Sequence, residues 1–137
     1  MKNLRPILVL LTLLAVVACG GNQPPPREFP AATSGQVEHI EYFLDDGYSL
    51  RNAYTAPVDG GSGHLVAAEI VTSGGYVGVW WHGGTADAPG LTLAVNNMAD
   101  EACVCPWVTT TQSPVSMSSV PAEELKRFVD AKVAGSE

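Results

Sequence analysis

The chain has 137 residues, with 14 Asp and Glu against 7 Lys and Arg and a formal net charge of −7. A chain this acidic, without a Lys or Arg cluster to offset the average, is repelled by phosphate backbones and anionic headgroups, which sets nucleic acid aside as a partner. The length allows one small domain with a single core.

Residues 1–18 read as a signal segment. Lys2 and Arg5 are its only charges, and the aliphatic run Ile7 to Val17 follows them. As a helix that run would reach about 16 Å, roughly half a hydrocarbon core, so it is too short to span a bilayer. The run ends at Val16, Val17 and Ala18, and with Cys19 these residues resemble the lipobox of bacterial lipoproteins. The resemblance implies that Cys19 carries a diacylglyceryl group on sulfur and becomes the mature amino terminus, a membrane anchor for a domain on the extracytoplasmic side. The alternative is an ordinary secretory signal cut near Ala18, with Cys19 left as a thiol. Gly20 stands where inner-membrane lipoproteins usually carry Asp, so the resemblance favours the outer membrane in a cell that has one. Residues 19–35, "CGGNQPPPREFPAATSG", are rich in Gly, Pro and small polar residues and read as a flexible tether. A single α+β domain is then expected over 36–137.

Within it, Val37, Ile40, Phe43 and Leu44 recur at helical spacing and predict a short helix ending near Gly47, although Asp45 and Asp46 would oppose the dipole at its end. "YSLRNAYTAPV" predicts a strand closed by the turn cluster "DGGSG". "HLVAAEIVT" and "YVGVWWH" then flank Ser73, Gly74 and Gly75 as a hairpin, and "GGTADAP" leads into a fourth strand, "LTLAVNN". The expectation is an antiparallel sheet of about four strands in meander order. "PAEELKRFVDAKVAG" predicts the final helix, with Leu125, Phe128, Val129 and Val133 on one face, Pro121 in its first turn and Gly135 at its end. Period-two alternation assigns Val66, Ala68, Ile70, Val77, Val79, Trp81, Leu91, Leu93 and Val95 to the core face. It assigns Glu69, Tyr76, Gly78, Trp80, His82, Thr92 and Asn96 to the other face.

The residues that could carry chemistry are few. Cys103 and Cys105 lie two apart in "ACVCPW", and an oxidising compartment favours pairing them. In an extended strand their Cα atoms would stand about 6.6 Å apart, so a bond needs a local turn, which Pro106 could shape. A structural disulfide or a pair of semi-buried thiols is the first reading. A thiol redox or Cu(I)-handling pair is the alternative, with His64, His82, Met98 and Met117 as available company. Adjacent Trp80 and Trp81 must face opposite sides of a strand. If Trp80 is open, Tyr76 and Trp80 offer an apolar platform for a sugar ring or peptide; otherwise Trp80 covers Gly78 or packs beneath a helix. Glu69 and His82, assigned to one face, could act as an acid and a base, and with Tyr76 and Trp80 they make up the candidate binding surface. No nucleophile elbow, HExxH helix or phosphate-binding Gly loop occurs, so no catalytic residue, metal ligand set or cofactor is expected.

"VAAEI", "VGVW" and "LTLAV", within Ala56 to Ala99, resemble small exported bacterial proteins, often lipoproteins, without an assigned activity. The resemblance transfers no binding or catalytic residue. The chain is therefore expected to be a membrane-anchored, non-catalytic binding or accessory module whose partner is another envelope protein or cell-wall material.

Overall fold

A computed structural model describes residues 27–59, 62–71, 74–105 and 119–136. The signal segment, Cys19, the first part of the tether, Pro106 and Met117 lie outside the described residues. The fold is α+β. Helix α1 (Ser34–Glu41) precedes strands β1 (Leu50–Pro57), β2 (His64–Ile70), β3 (Tyr76–Gly84) and β4 (Pro89–Ala94), followed by helices α2 (Asn97–Ala102) and α3 (Val120–Ala134). The strands form one antiparallel sheet in the order β1-β2-β3-β4, the expected meander.

The sheet is covered on both faces. On one, Leu125 and Val129 of α3 pack on Ala56, Leu65, Ala67, Val77, Val79 and Trp81. On the other, Ile40 of α1 and Ala99 and Ala102 of α2 pack on Val66, Ala68, Ile70, Trp80 and Ala94, joined by Cys103 and Cys105. Every residue from Leu65 to Ile70 and from Val77 to His82 is buried. A strand covered on both sides reads as a continuous apolar run, and alternation then loses its power to tell the faces apart.

That explains one correction. Ile70 pairs with Tyr76 and Val66 with Trp80, so the even-numbered residues of β2 and β3 share a face. Val66, Ala68 and Ile70 therefore lie with Trp80 beneath α1 and α2, whereas Val77, Val79 and Trp81 lie beneath α3. A one-residue error in pairing parity moves a whole strand's side chains across the sheet. The relation between β3 and β4 is as expected, with Trp81 opposite Leu93, although Leu91 is exposed.

The first helix starts and stops earlier than its apolar stripe suggests. Thr33 accepts from the Gln36 backbone N–H through its hydroxyl, and the Gln36 side chain accepts from the Thr33 N–H, a capping box that fixes the start. The helix closes at Glu41, before Asp45 and Asp46, as the dipole argument favours. Leu44 instead forms an isolated bridge with Cys103.

The polypeptide also joins the domain before Gln36. The Thr55 N–H donates to Pro30 O and the Ala32 N–H to Ala53 O, which lines 30–32 along the outer edge of β1. Phe29 is buried with its ring 5.4 Å from that of Phe128. The stretch before α1 thus shields one edge of the sheet, where unpaired backbone groups would otherwise face water.

Candidate functional site

Two buried polar clusters stand out, at opposite ends of β2. The first lies where α1 crosses the sheet. His64, His82 and Thr92 form a row across β2, β3 and β4 by strand register, and Thr55 of β1 lies two positions along, opposite Val66. Gln36 reaches down from α1. Its amide Nε2 donates to Thr55 Oγ1 (3.1 Å) and to His82 Nε2 (2.8 Å). Thr55 Oγ1 in turn donates to Leu65 O at 2.8 Å.

The donor and acceptor roles of Gln36 and His82 follow from their partners. Gln36 Oε1 accepts from the Thr33 N–H at 2.9 Å, so the amide is oriented with Nε2 toward the histidine. His82 Nε2 is then an acceptor, and Nδ1, 3.0 Å from Gly83 O, carries the proton. His82 is completely buried. Burial is the main force pushing its pKa below the ordinary imidazole value; the Gly83 carbonyl opposes this, while His64 and His39 add to it. Both ring nitrogens are occupied, so this imidazole has no lone pair free for a base or a ligand to use.

His64 stacks on His82 with centroids 5.3 Å apart and rings 16° from parallel. They meet face to face, not with nitrogens converging on one point. His64 Nδ1 and Thr92 Oγ1 are buried without a hydrogen-bond partner among the described residues, and so is Trp80 Nε1. Among the described residues no three His, Cys, Asp or Glu side chains group as a metal site requires.

The second cluster holds Glu69, on the α3 face opposite Val77. Arg51 grips its carboxylate with two bonds, Nε to Oε2 at 2.7 Å and Nη2 to Oε1 at 2.6 Å, and Asn52 Nδ2 adds a third to Oε2 at 2.9 Å. The chain makes this possible through a bulge in β1 between Arg51 and Tyr54, with Asn52 at a φ of 50°. The extra residue lets two consecutive side chains converge on one acid. Arg51 is the main reason the Glu69 pKa falls below the ordinary carboxylate value, and the Asn52 bond assists, although burial opposes both.

Glu69 and His82 are therefore not an acid and base pair. They occupy opposite faces, and the five residue steps along β2 from His64, opposite His82, to Glu69 separate their rows by about 17 Å. The arrangement corrects the shared open face expected for Glu69, Tyr76, Trp80 and His82. Trp80 is buried under the α1 and α2 face with its ring over Gly78, where an added Cβ would lie 2.3 Å from the indole. Trp81 is buried on the other side and donates from Nε1 to Ser62 O at 3.3 Å. Tyr76 alone of the four is exposed. Asn96 serves the backbone, accepting from the Val79 and Ala99 N–H groups and donating to Val77 O.

Cys103 and Cys105 follow α2 directly, and their sulfur atoms are in contact. Their Cα atoms are 5.2 Å apart, closer than an extended strand allows and within disulfide range. The Leu44 bridge and the bond from the Val104 N–H to Phe43 O hold this turn. Both cysteines are buried, with Val104 exposed between them.

Sequence reasoning missed Gln36 as a hub, yet "TSGQ" carries the capping-box spacing that would have placed it at a helix start. It also missed the Arg51–Asn52 clamp, which depends on a bulge that no local pattern announces. The chain matches no family model, no curated protein and no solved structure in comparisons with each.

Proposed function

We propose that the chain is a lipid-anchored extracytoplasmic lipoprotein whose domain is a non-catalytic binding or accessory module of the cell envelope, with another envelope protein or cell-wall component as its partner. The observation that carries this reading is the apolar run ending in Val16, Val17, Ala18 and Cys19 behind Lys2 and Arg5. Support for a non-catalytic role comes from the two ionisable groups best placed for acid–base work. Each is buried and saturated with hydrogen bonds, and they lie apart.

A second reading, a thiol redox or copper-handling protein using Cys103 and Cys105, draws on the contact between their sulfurs. Their burial works against it, since a working thiol needs access. One measurement addresses both readings: the intact mass of the membrane-extracted protein after mild reduction and alkylation. The expected mass is that of a chain beginning at a lipidated Cys19, with neither Cys103 nor Cys105 alkylated. A plain amino terminus, or a Cys19→Ser variant held equally firmly in membranes, overturns the anchor. Ready alkylation of both remaining cysteines favours the redox reading.

A further inference from the structure

The buried imidazole beneath α1 has a use that structural packing alone does not require. We propose that the His82–Gln36 hydrogen bond is an acid-sensitive latch, which docks α1 on the sheet while His82 is neutral and releases it when His82 takes up a proton.

The geometry carries the argument. His82 Nε2 accepts from Gln36 Nε2, and a proton on Nε2 would set two donors against each other at 2.8 Å. An isolated amide would relieve that clash by turning over. Gln36 cannot do so cheaply, because its Oε1 holds the Thr33 N–H and its Nε2 serves Thr55. Flipping it would break the capping box and the Thr55 bond together. The direct way to accommodate the charge is for Gln36 to leave, and Gln36 is one of two buried residues on α1. With only 8 residues this helix has little stability of its own away from the sheet. Such short, sparsely buried elements open locally before the rest of a domain.

Apart from the Gly83 carbonyl, which favours the charged ring without outweighing burial, nothing facing His82 softens the effect of a charge. His64 stacks on it from β2, and His39 on α1 adds its own repulsion when charged. Thr55 of β1 and Thr92 of β4 are neutral, and Asp100 and Glu101 of α2 are exposed. The other ties of α1 do not share the sensitivity. His39 Nε2 meets Gly90 O at 2.7 Å, a bond that a protonated ring still donates, and Thr33 Oγ1 donates to Ala86 O at 2.9 Å. The sign is fixed by linkage. A histidine whose folded pKa is depressed binds its proton more readily once α1 is open. The docked state is therefore fully favoured above the ordinary value of 6.5 and loses ground as pH falls from there toward the depressed value.

The test uses the full chain in detergent, following amide hydrogen exchange in α1 and α3 together with the His82 ring signal between about pH 7 and about pH 5, where imidazoles titrate. Once corrected for intrinsic exchange, opening of α1 is expected to rise by up to about tenfold per pH unit as His82 titrates, with α3 unchanged. In His82→Gln, which keeps an acceptor for Gln36 and cannot titrate, α1 opening should be flat. In Gln36→Glu, a carboxylate accepts from protonated His82, so the ring should titrate above 6.5 and acid should no longer open the helix. Flat α1 exchange in the natural chain, equal opening of α3, or an unchanged slope in either variant overturns the proposal. The readout needs no lipid, so its failure is separate from failure of the anchor.

Discussion

Glu69 and His82 are both removed from water on the same pair of strands, yet Glu69 is held as an anion and His82 as a neutral ring. Burial disfavours the charged form of each; the partners of Glu69 overturn that effect, whereas around His82 burial prevails. Glu69 meets the fork of Arg51 and the amide of Asn52, three donors aimed at one carboxylate. His82 meets the donating end of an amide, the Gly83 carbonyl and the stacked ring of His64, while His39 acts on it only as a more distant charge. The sheet thus stores one charge on its α3 side and excludes one on its α1 side. Acid acts on both ends, over different ranges.

The largest test of this comparison asks whether the α1 and α2 face is a true interior. Trp80 is fully buried there, as Leu125 is on the opposite side. Trp80→Ala should cost about 3–5 kcal/mol, comparable to the roughly 2–5 kcal/mol for Leu125→Ala. Were the Trp80 face an open platform, truncation would change stability by no more than about 0.5 kcal/mol, as surface substitutions do. Urea denaturation midpoints at a fixed slope distinguish the two outcomes.

A smaller effect, confined to acid, separates the two buried groups. The folded pKa of Glu69 lies below its ordinary value of 4.5, so its contribution is complete above that pH and is lost as pH falls from 4.5 through the folded value. His82 acts in the higher window below 6.5. Glu69→Gln should lower stability at neutral pH and remove the lower step from a plot of denaturation midpoint against pH, leaving the upper step intact. A variant that loses both steps, or neither, breaks the assignment of each window to its residue.

How far the sequence revealed these features depends on the reach of each signal. The hairpin of β2 and β3 was legible because β-formers flank a Gly-rich turn, and α3 because Pro121, Gly135 and a clean apolar stripe mark it. The assignment of faces was not legible. "LVAAEI" and "VGVWWH" are buried throughout, and pairing parity depends on how the residues between Ile70 and Tyr76 turn. The six-residue α2 is too short to show a period, and only Asn96, accepting from the Ala99 N–H, marks its start. Trp80, His82 and Glu69 drew notice through residue type alone. Their partners Gln36, Arg51 and Asn52 come from distant segments, and no local spacing couples them.

The smallest effect compares the two ends that α1 and α3 present to the connecting chain. Thr33 caps α1 with a side-chain bond at 3.2 Å and also donates to Ala86 O. Ser119 occupies the same position before α3 but makes no capping bond, and its buried Oγ has no hydrogen-bond partner among the described residues. Thr33→Ala should therefore cost about 1 kcal/mol, the usual value of a lost cap, and Thr33→Ser should restore most of it. Ser119→Ala removes a hydroxyl that is already unpaired, so it should leave thermal stability unchanged or slightly raised. Because Thr33 also orders Gln36 through the capping box, its loss should additionally speed exchange in α1 at neutral pH, where His82 is uncharged. A Ser119→Ala variant as damaging as Thr33→Ala would mean that α3 relies on a cap bond after all, and the two helix starts would then be equivalent.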